Sequence, residues 1–361
     1  MAIFTGQLRS NEIFSALYNM IISQEVFADN LGEHQTLVDK ARVDGGLYGD
    51  TKLYYSTDVL KSVPWGDDAE AANLLALHRP EAPECQAIHL DIFRQICLTV
   101  DNYLSKRAWA TEGAFSSFNS VMLGWMKETK RVYDGTLYNV FIGTTKAAGA
   151  GQTVSVDLSG ATSLTGVEKE QMEAMLIAQK LADLMVAMGD YSRDFNDYGN
   201  LRSYAKDGIK VIWNSKFVNK IRKVDLPTIF HKDGLVDKFE EEILPERYFG
   251  DVNTSKLTSI EANTVRSTIE KDYTVSSKIT HVFPGDYIPA GATVEIGEGY
   301  TAPAKDVICK VLVKLPPYMS AFEVGTSFFN AKSLTENHYL TFGHNTIEYL
   351  KNYPFITVQV K

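Results

Sequence analysis

The chain has 361 residues, enough for two or three packed units. Its 45% hydrophobic and 22% charged residues are an ordinary globular composition, which argues against a disordered or fibrous chain. A net charge of -9, with no run of Lys and Arg, excludes a chain that is basic as a whole and built to read nucleic acid, and gives copies an acidic, mildly repulsive surface.

Residues 8 to 29 read as a helix, with Ile13, Leu17, Ile21 and Val26 on one stripe and Phe14, Tyr18 and Ile22 beside it. So wide an apolar face needs a partner surface. Residues 36 to 65 look β-rich, with a turn signal at Asp44-Gly45-Gly46 followed by a Tyr-rich strand. Gly66 to Glu84 is more polar. Pro80 and Pro83 suit an exposed loop tip and cannot both sit in a central strand. In the following CQAIHLDIFRQICLTV, Ile96, Leu98 and Val100 face one way and Gln95, Cys97 and Thr99 the other. Together these stretches predict a long two-way excursion, out through residues 66 to 77 and back through 86 to 100.

Thr111 opens the strongest helical pattern in the chain. Phe115, Phe118, Met122, Trp125, Thr129 and Val132 recur at spacings of three and four, with Glu112 in the first turn. Lys127, Lys130 and Arg131 are expected near the end, where they would complement the helix dipole. Asp134-Gly135 is placed to kink or end the helix, and TLYNVFIG could continue it by one or two turns; to Gly135 it would be about 35 Å long. Thr165-Gly166-Val167-Glu168 is a capping-box pattern that starts a second helix. Its apolar face is Met172, Met175, Leu176, Leu181, Leu184, Met185 and Met188, and Gly189 is its expected C′ stop. A polar aromatic loop, DYSRDFNDYGNLRSY, precedes a short buried strand at Ile209 to Trp213 and a small helix from Ser215 to Val224. Residues 262 to 305 are short strands and Gly/Pro turns, read as a small β insert. The chain returns to strands at VICKVLVKLPPYMSAFEV and ends on FITVQV, with no internal repeat.

The chemistry-bearing residues carry no catalytic pattern: GxSxG, HExxH, GxGxxG and GxxxxGK[ST] do not occur. His338 and His344, six apart, have no adjacent carboxylate pair and read as structural histidines. Glu240-Glu241-Glu242 reads as a solvated face before it reads as a cation site. GDYIPAGATVEIGEG resembles the turn-rich segments of carrier modules, but has no lysine poised at a hairpin tip. The methionines of the second helix read as core. Cys85, Cys97 and Cys309 form no CxxC and fit reduced thiols, with Cys97 half-buried in its strand. No catalytic, cofactor-binding or metal residue is assigned, and no enzyme activity is expected. The N-terminus has no basic stretch followed by an apolar block, and no apolar run reaches the roughly 18 residues that span a membrane, so a soluble product made in the cytoplasm is expected.

The excursion stands apart. A structureless loop of that length argues against itself unless something covers it, and a lone two-stranded arm is marginal in water. With the N-terminal helix, it makes two elements that need outside partners, which points to an interlocking oligomer.

LALHRPEAPE, the stretch from FRQICLTVDNYLSKRAW through the Thr111 helix, GIKVIWNSKFVNKIRKVDLPTIF and SFFNAKSLTENHYLTFG resemble the major capsid proteins of tailed double-stranded DNA bacteriophages. The likeness runs from about residue 36 to 361, outside the β insert, and is one of pattern and order. It implies the Hong Kong phage (HK-ninety-seven-type) capsid fold, an α+β fold. Residues 1–35 would be an N-terminal arm, 36–110 the extended loop and its flanking strands, and 111–150 the peripheral domain with its spine helix. Residues 151–261 would form the axial domain and connecting helices, 262–305 a small β insertion, and 306–361 the C-terminal strands completing both domains. The implied function is a structural subunit that self-assembles through hexamers and pentamers into an icosahedral shell around packaged DNA, in the virion. The implied partners are further copies, a portal, possible decoration or tail-neck proteins, and DNA touched without specificity, with no membrane. Because the sequence starts at the arm without a helical leader, a separate scaffolding protein is expected. The alternatives are a nanocompartment shell of the encapsulin kind and, further off, an enzyme with an unrecognised hydrolase site.

Overall fold

A computed structural model describes residues 36–44, 51–62, 77, 79–101, 112–144, 152–223, 240–253, 271–275, 278–282, 300–303 and 307–361. The helix expected at residues 8 to 29, most of the outgoing stretch 66 to 77, and Gly45-Gly46 lie outside them. In chain order the elements are α1 (Leu37–Ala41), β1 (Arg42–Asp44), β2 (Thr51–Ser56), β3 (Glu84–Asp101), α2 (Glu112–Thr144), β4 (Thr153–Val156), α3 (Gly166–Gly189), β5 (Lys210–Asn214), α4 (Ser215–Lys223) and β6 (Glu240–Leu244). They continue with β7 (Gly250–Asn253), β8 (Lys271–Val275), β9 (Lys278–Val282), β10 (Tyr300–Pro303), β11 (Val307–Leu312), β12 (Tyr318–Asn330), β13 (Thr335–Asn345) and β14 (Phe355–Val360). They form two compact units, each gathered from distant parts of the chain. The first takes the described parts of Met1–Tyr48, Leu90–Gly135 and Met319–Asn345; the second takes those of Gly49–His89, Thr136–Tyr318 and Thr346–Lys361.

The first unit opens with a helical turn where β structure was expected. The Thr36 N–H and hydroxyl both donate to Asp39 Oδ2, at 3.0 and 2.7 Å, and this local closure favours helix at the very start of α1. The sheet of this unit runs in the order β1-β12-β13-β3. The alternation read in Gln95 to Val100 holds, with Val100 buried and Gln95, Cys97 and Thr99 exposed; Cys97 is therefore on the outer face and not half-buried. The ribbon expectation needs correction. Residues Leu90–Asp101 pair antiparallel with β13, from Leu90↔Asn345 to Asp101↔Thr335, so this returning strand has a partner within its own chain. TENHYLTFGHN has no regular alternation of apolar and polar residues, so periodicity does not mark β13 as a strand.

The spine helix α2 spans 33 residues, about 50 Å, and passes straight through Asp134-Gly135. Its buried face in the first unit is Met126, Lys130, Tyr133 and Asp134, one step round from the predicted one. Val132 is exposed, and Trp125 and Thr129 are half-buried. The offset has a polar cause. Lys130 Nζ lies 3.4 Å from Asp134 and 3.2 Å from Glu323, and sits 5.5 Å from the centre of the Phe342 ring. Arg42 reaches the same Asp134 at 3.5 Å. A lysine and an aspartate four apart look like a solvent face until these partners cover them. Because the helix runs on to Thr144, Lys127, Lys130 and Arg131 lie well before its C-terminus and do not serve its dipole.

The second unit is built on a sheet of order β4-β14-β11-β5-β6, antiparallel in the centre and parallel at both edges. All six residues of β11 are buried, as expected of a central strand covered on both faces. Val211, Trp213, Cys309, Val311, Ile356 and Val358 join one core with Ile177, Leu181, Leu184 and Met185 of α3 and Phe217 and Val218 of α4. Lys310, Ile212 and Phe355 are buried outside that core. The Lys310 ammonium donates to Thr357 Oγ1 at 2.7 Å and lies 5.5 Å from the Phe355 ring centre. The last turns of α2 add Phe141, 6.1 Å from Phe355, and Tyr138, whose hydroxyl donates to the Pro316 carbonyl at 2.8 Å. Gly143 has no alternative here: a Cβ would sit 2.0 Å from the Tyr248 carbonyl oxygen.

In α3 the core is carried by Ala174, Ile177 and Ala178 as well as Leu181, Leu184, Met185 and Met188, while Met175 is exposed. Gly189 is the last helical residue and not a left-handed stop. The strand at Ile209 to Trp213 and the helix from Ser215 both form. The turn-rich stretch contributes β8 paired with β9, and β10 paired with β7, with no helix among the described residues.

The polar seam predicts a contrast along α2. Asp134→Ala leaves Lys130 and Arg42 without their buried partner and should cost about 3–5 kcal/mol. Val132→Ala, on the exposed face, should stay within about 0.5 kcal/mol. Chemical denaturation of the two variants measures the difference.

Candidate functional site at the root of the excursion

β2 pairs antiparallel with the first residues of β3, from Thr51↔His89 to Ser56↔Glu84. Beyond that ladder the Lys61 ammonium meets Glu81 at 3.1 Å, joining residues 57–62 to 79–83. The described chain leaves this ladder at Ser56 and rejoins it at Glu84. The Tyr-rich strand Thr51–Ser56 is therefore the partner of the returning strand's foot, and most of the stretch expected to run outward, 66 to 77, lies outside the described residues.

The departing foot buries almost nothing apolar. Leu53 and Tyr55 are 50% and 65% exposed, and Val59 and Leu60 are exposed as well. Polar contacts to the loop between α3 and β5 hold it instead. Asp58 Oδ1 accepts the Leu201 N–H at 2.9 Å, and Asp58 Oδ2 accepts Arg193 Nη1 at 2.5 Å. Arg193 also donates to the Gly199 carbonyl at 2.7 Å. Gly199 has φ +67°, a left-handed conformation that glycine takes without strain. Arg202 donates to the Thr57 carbonyl at 2.6 Å, and Asn200 Nδ2 donates to Ser56 Oγ at 2.8 Å. The Asn196 side chain clasps the Asn200 backbone, donating from Nδ2 to its carbonyl at 2.7 Å and accepting its N–H at Oδ1 at 2.8 Å. The Leu201 N–H, followed by Arg193, holds the Asp58 carboxyl well below its ordinary value, at about 2.

The returning foot is fixed in the same way. Buried Gln86 donates to the Tyr349 carbonyl at 3.0 Å and accepts the Lys351 N–H at 3.0 Å. A small cavity beside the stem is lined by Tyr54, Ser56, Gln86, Tyr198, Lys314 and Tyr353, among others, and the Lys314 ammonium lies 5.8 and 5.4 Å from the Tyr54 and Tyr353 ring centres. Burial pushes both the Tyr54 and Tyr198 hydroxyls up, so neither is poised to ionise near neutral pH. These groups hold a chain in place.

The residues weighed from sequence are dispersed. His338 and His344 lie six apart on one continuous strand, about 20 Å along it, too far to share an ion. Glu240 takes Lys210 as its partner. No group of three or more His, Cys, Asp or Glu among the described residues could hold a metal ion. Burial pushes the Cys309 thiol up, and Cys85 and Cys97 are exposed. No helix among the described residues is long and apolar enough to cross a membrane. The residues that fix the stem, Ser56, Asp58, Gln86, Arg193, Asn200 and Arg202, were not singled out from sequence. The turn signal Asn196-Asp197-Tyr198-Gly199 marked the loop, but no spacing rule connects it to Asp58.

No family model matches the sequence, and no curated protein matches it. Solved structures match its fold. Against a chain in the capsid structure of Staphylococcus phage Andhra the TM-score is 0.54 at 9% identity, covering 92% of this chain and 88% of that chain. Against a chain in the structure of the head fiber and inner core protein gp22 of native bacteriophage P68 it is 0.54 at 11% identity, covering 92% and 89%. At such identities the likeness is one of fold: this chain has the α+β fold of a phage capsid chain over most of its length, as the sequence resemblance implied.

In the first unit, His344 is buried between two partners. Its Nε2 lies 2.9 Å from the Tyr133 hydroxyl and its Nδ1 lies 2.9 Å from its neighbour's carbonyl, at Asn345. The carbonyl can only accept, so Nδ1 carries the proton and Nε2 accepts from Tyr133 in a neutral ring. Burial lowers its pKa from the ordinary 6.5, against the opposing pull of the Asn345 carbonyl and of Asp134. A lowered value means that the unfolded chain binds the proton first as pH falls. The contribution of His344 to stability is therefore complete above about 6.5 and is lost progressively below it. Unfolding midpoints measured across that value should fall on the acid side, and the fall should be smaller in His344→Asn.

Proposed function

We propose that the chain is a structural, non-enzymatic subunit of an icosahedral capsid shell that encloses packaged double-stranded phage DNA. The observation that carries this reading is the fold shared with a chain of the Andhra capsid over 92% of the molecule. The anchored stem supports it: a single chain gains little by fastening the feet of a polar excursion so firmly, unless something beyond its own body uses the excursion. In this reading the unit with the spine-helix seam corresponds to the peripheral domain, and the unit with the five-stranded sheet to the axial domain.

Copies would associate as hexamers and pentamers, with residues 57 to 83 reaching a neighbouring subunit. The portal, a separate scaffolding protein, and decoration or tail-neck proteins would be the other partners, and the mature location would be the virion after synthesis in the host cytoplasm. Contact with DNA would be non-specific. At a net charge of -9 the shell depends on cations bound to the DNA to neutralise it, with no need for a basic lining. A nanocompartment shell would use the same fold, but the solved structures named above belong to phages. The hydrolase alternative is not favoured by the fold shared with a phage capsid chain.

Electron microscopy of the purified protein, with its scaffold where one is required, should show capsomers and closed shells; a strictly monomeric protein at high concentration overturns the reading. Replacing residues 64 to 80 by a short Gly-Ser linker spares both feet of the stem. That variant should fold with an unchanged unfolding midpoint and fail to close shells.

A further inference from the structure

We infer that Asp58 is the positioning residue that sets the direction in which the excursion leaves the sheet, and that shell closure depends on this setting. The inference rests on the shell reading above and assigns part of its geometry to one side chain. Four observations carry it.

First, residues 57–62 have no strand partner in the ladder, which ends at Ser56↔Glu84. Second, nearly all of them are exposed, so apolar packing does not fix their path; Asp58, with a side chain 21% exposed, is the exception. Third, the two Asp58 oxygens are divided between a backbone amide, Leu201, and a side chain, Arg193, which itself holds the Gly199 carbonyl. Two bonds from one short side chain to one loop fix an angle as well as a distance, which a single bond cannot do. Fourth, the loop is braced before it receives Asp58. Asn196 and Asn200 close it on themselves, and the Asp197 N–H donates to the Lys351 carbonyl at 2.8 Å, tying it to the segment that also holds Gln86. The two feet are thus referred to one braced loop, and Asp58 makes the outermost of the contacts that tie the departing foot to it, beyond those of Asn200 to Ser56 and Arg202 to the Thr57 carbonyl.

On the shell reading, in which the residues beyond 62 meet a neighbouring copy, a change of angle at the root displaces that contact. Loss of Asp58 should therefore harm the contact between subunits more than the stability of the subunit itself. Lys61 and Glu81 cannot substitute, because their side chains are 86% and 79% exposed and such pairs are weak in water.

The test compares Asp58→Ala, Asp58→Asn and Arg193→Ala with a core control, Ile177→Val, which perturbs the same unit away from the stem. Unfolding midpoints are measured on each, and assembly products are sized by sedimentation and electron microscopy. Wild type and Ile177→Val should give closed shells of one diameter. Asp58→Ala should stay folded and give open sheets, tubes or free capsomers. Asp58→Asn, which keeps an acceptor for Leu201, should fall between. If Asp58→Ala does not fold, Asp58→Asn and Arg193→Ala decide on the same criterion. Closed shells of wild-type diameter and yield from the Asp58 and Arg193 variants overturn the inference. Equal loss of shells in Ile177→Val overturns it too, because the effect is then one of general stability. A wild-type protein that never assembles overturns the shell reading and this inference with it, which separates the two failures.

Discussion

A strand of 18 residues exposes two rows of backbone donors and acceptors, and they must be satisfied somewhere. β3 is such a strand, and this chain satisfies one of its edges from its own C-terminal region. The partners are far apart in sequence: Gln95 Nε2 donates to Thr341 Oγ1 across 246 positions, and Thr99 Oγ1 to Asn337 Oδ1 across 238. The first unit cannot complete its sheet until the last part of the chain has been made. The second has the same dependence, because β14 runs between β4 and β11 and joins the middle of the chain to its end. Long-range pairing of this kind is slow to find and cooperative once found. Folding of either unit ahead of the finished chain is therefore unfavourable.

Inside this β framework the chain is fastened chiefly by polar groups, and the reason is geometric. Apolar contacts give stability without direction, whereas hydrogen bonds and ion pairs fix angles. Lys130, Asp134, Arg42 and Glu323 set the rotation of the spine helix about its axis, because only one face can meet all of these charges together. Asn345 works at a finer scale, with its side-chain oxygen accepting the Met319 N–H at 2.7 Å where β12 begins its long run. Gln152 does similar work in the second unit, accepting the Phe355 N–H with its side chain and the Thr357 N–H with its carbonyl. Such groups cost desolvation, and they repay it in a unique arrangement more than in net stability.

What the sequence made legible divides along the same line. Periodicity located α3, because its buried residues are apolar and recur at helical spacing, and the short, mainly apolar runs located β5, β11 and β14. Periodicity also located α2 but misjudged its face. Lys130 was expected to serve the helix dipole and Asp134 to kink or end the helix, with Val132 as core, but Glu323 and Arg42, distant in sequence, draw Lys130 and Asp134 to the buried face. Of the two ends the sequence allowed, the helix takes the longer, through TLYNVFIG to Thr144: a Cβ at Gly135 would meet nothing within 4 Å, so that glycine is neither needed for packing nor a break. β13 was invisible because TENHYLTFGHN has no regular alternation of apolar and polar residues, and its order comes from the strands on either side of it. The stem was invisible for the same reason. A serine, an aspartate, two arginines and an asparagine carry no signal until the fold brings them together, although the Asn-Asp-Tyr-Gly turn that presents three of them could have been read as a rigid loop. The capsid resemblance reached the right fold because it drew on the order of all these segments at once and on no single motif.

The residues the single chain leaves uncovered complete the physical account. Phe328 and Phe329 on β12 are 63% and 51% exposed, and Leu334 in the turn that follows adopts φ 55°, a left-handed conformation that costs a branched residue about 1–2 kcal/mol. Asparagine or glycine would take that conformation at little cost, so the leucine carries a local penalty. On the proposed reading, these exposed apolar groups on one hairpin are surface for a neighbouring copy to cover. Each such contact can be weak, since a subunit held at several edges gains from all of them together. The acidic net charge works against association until the edges align, and its screening by salt sets how readily copies meet. On the proposed reading, weak apolar contacts, charge repulsion and polar fastenings that fix the angles of the contacting parts favour an assembly that closes only when every part points the right way.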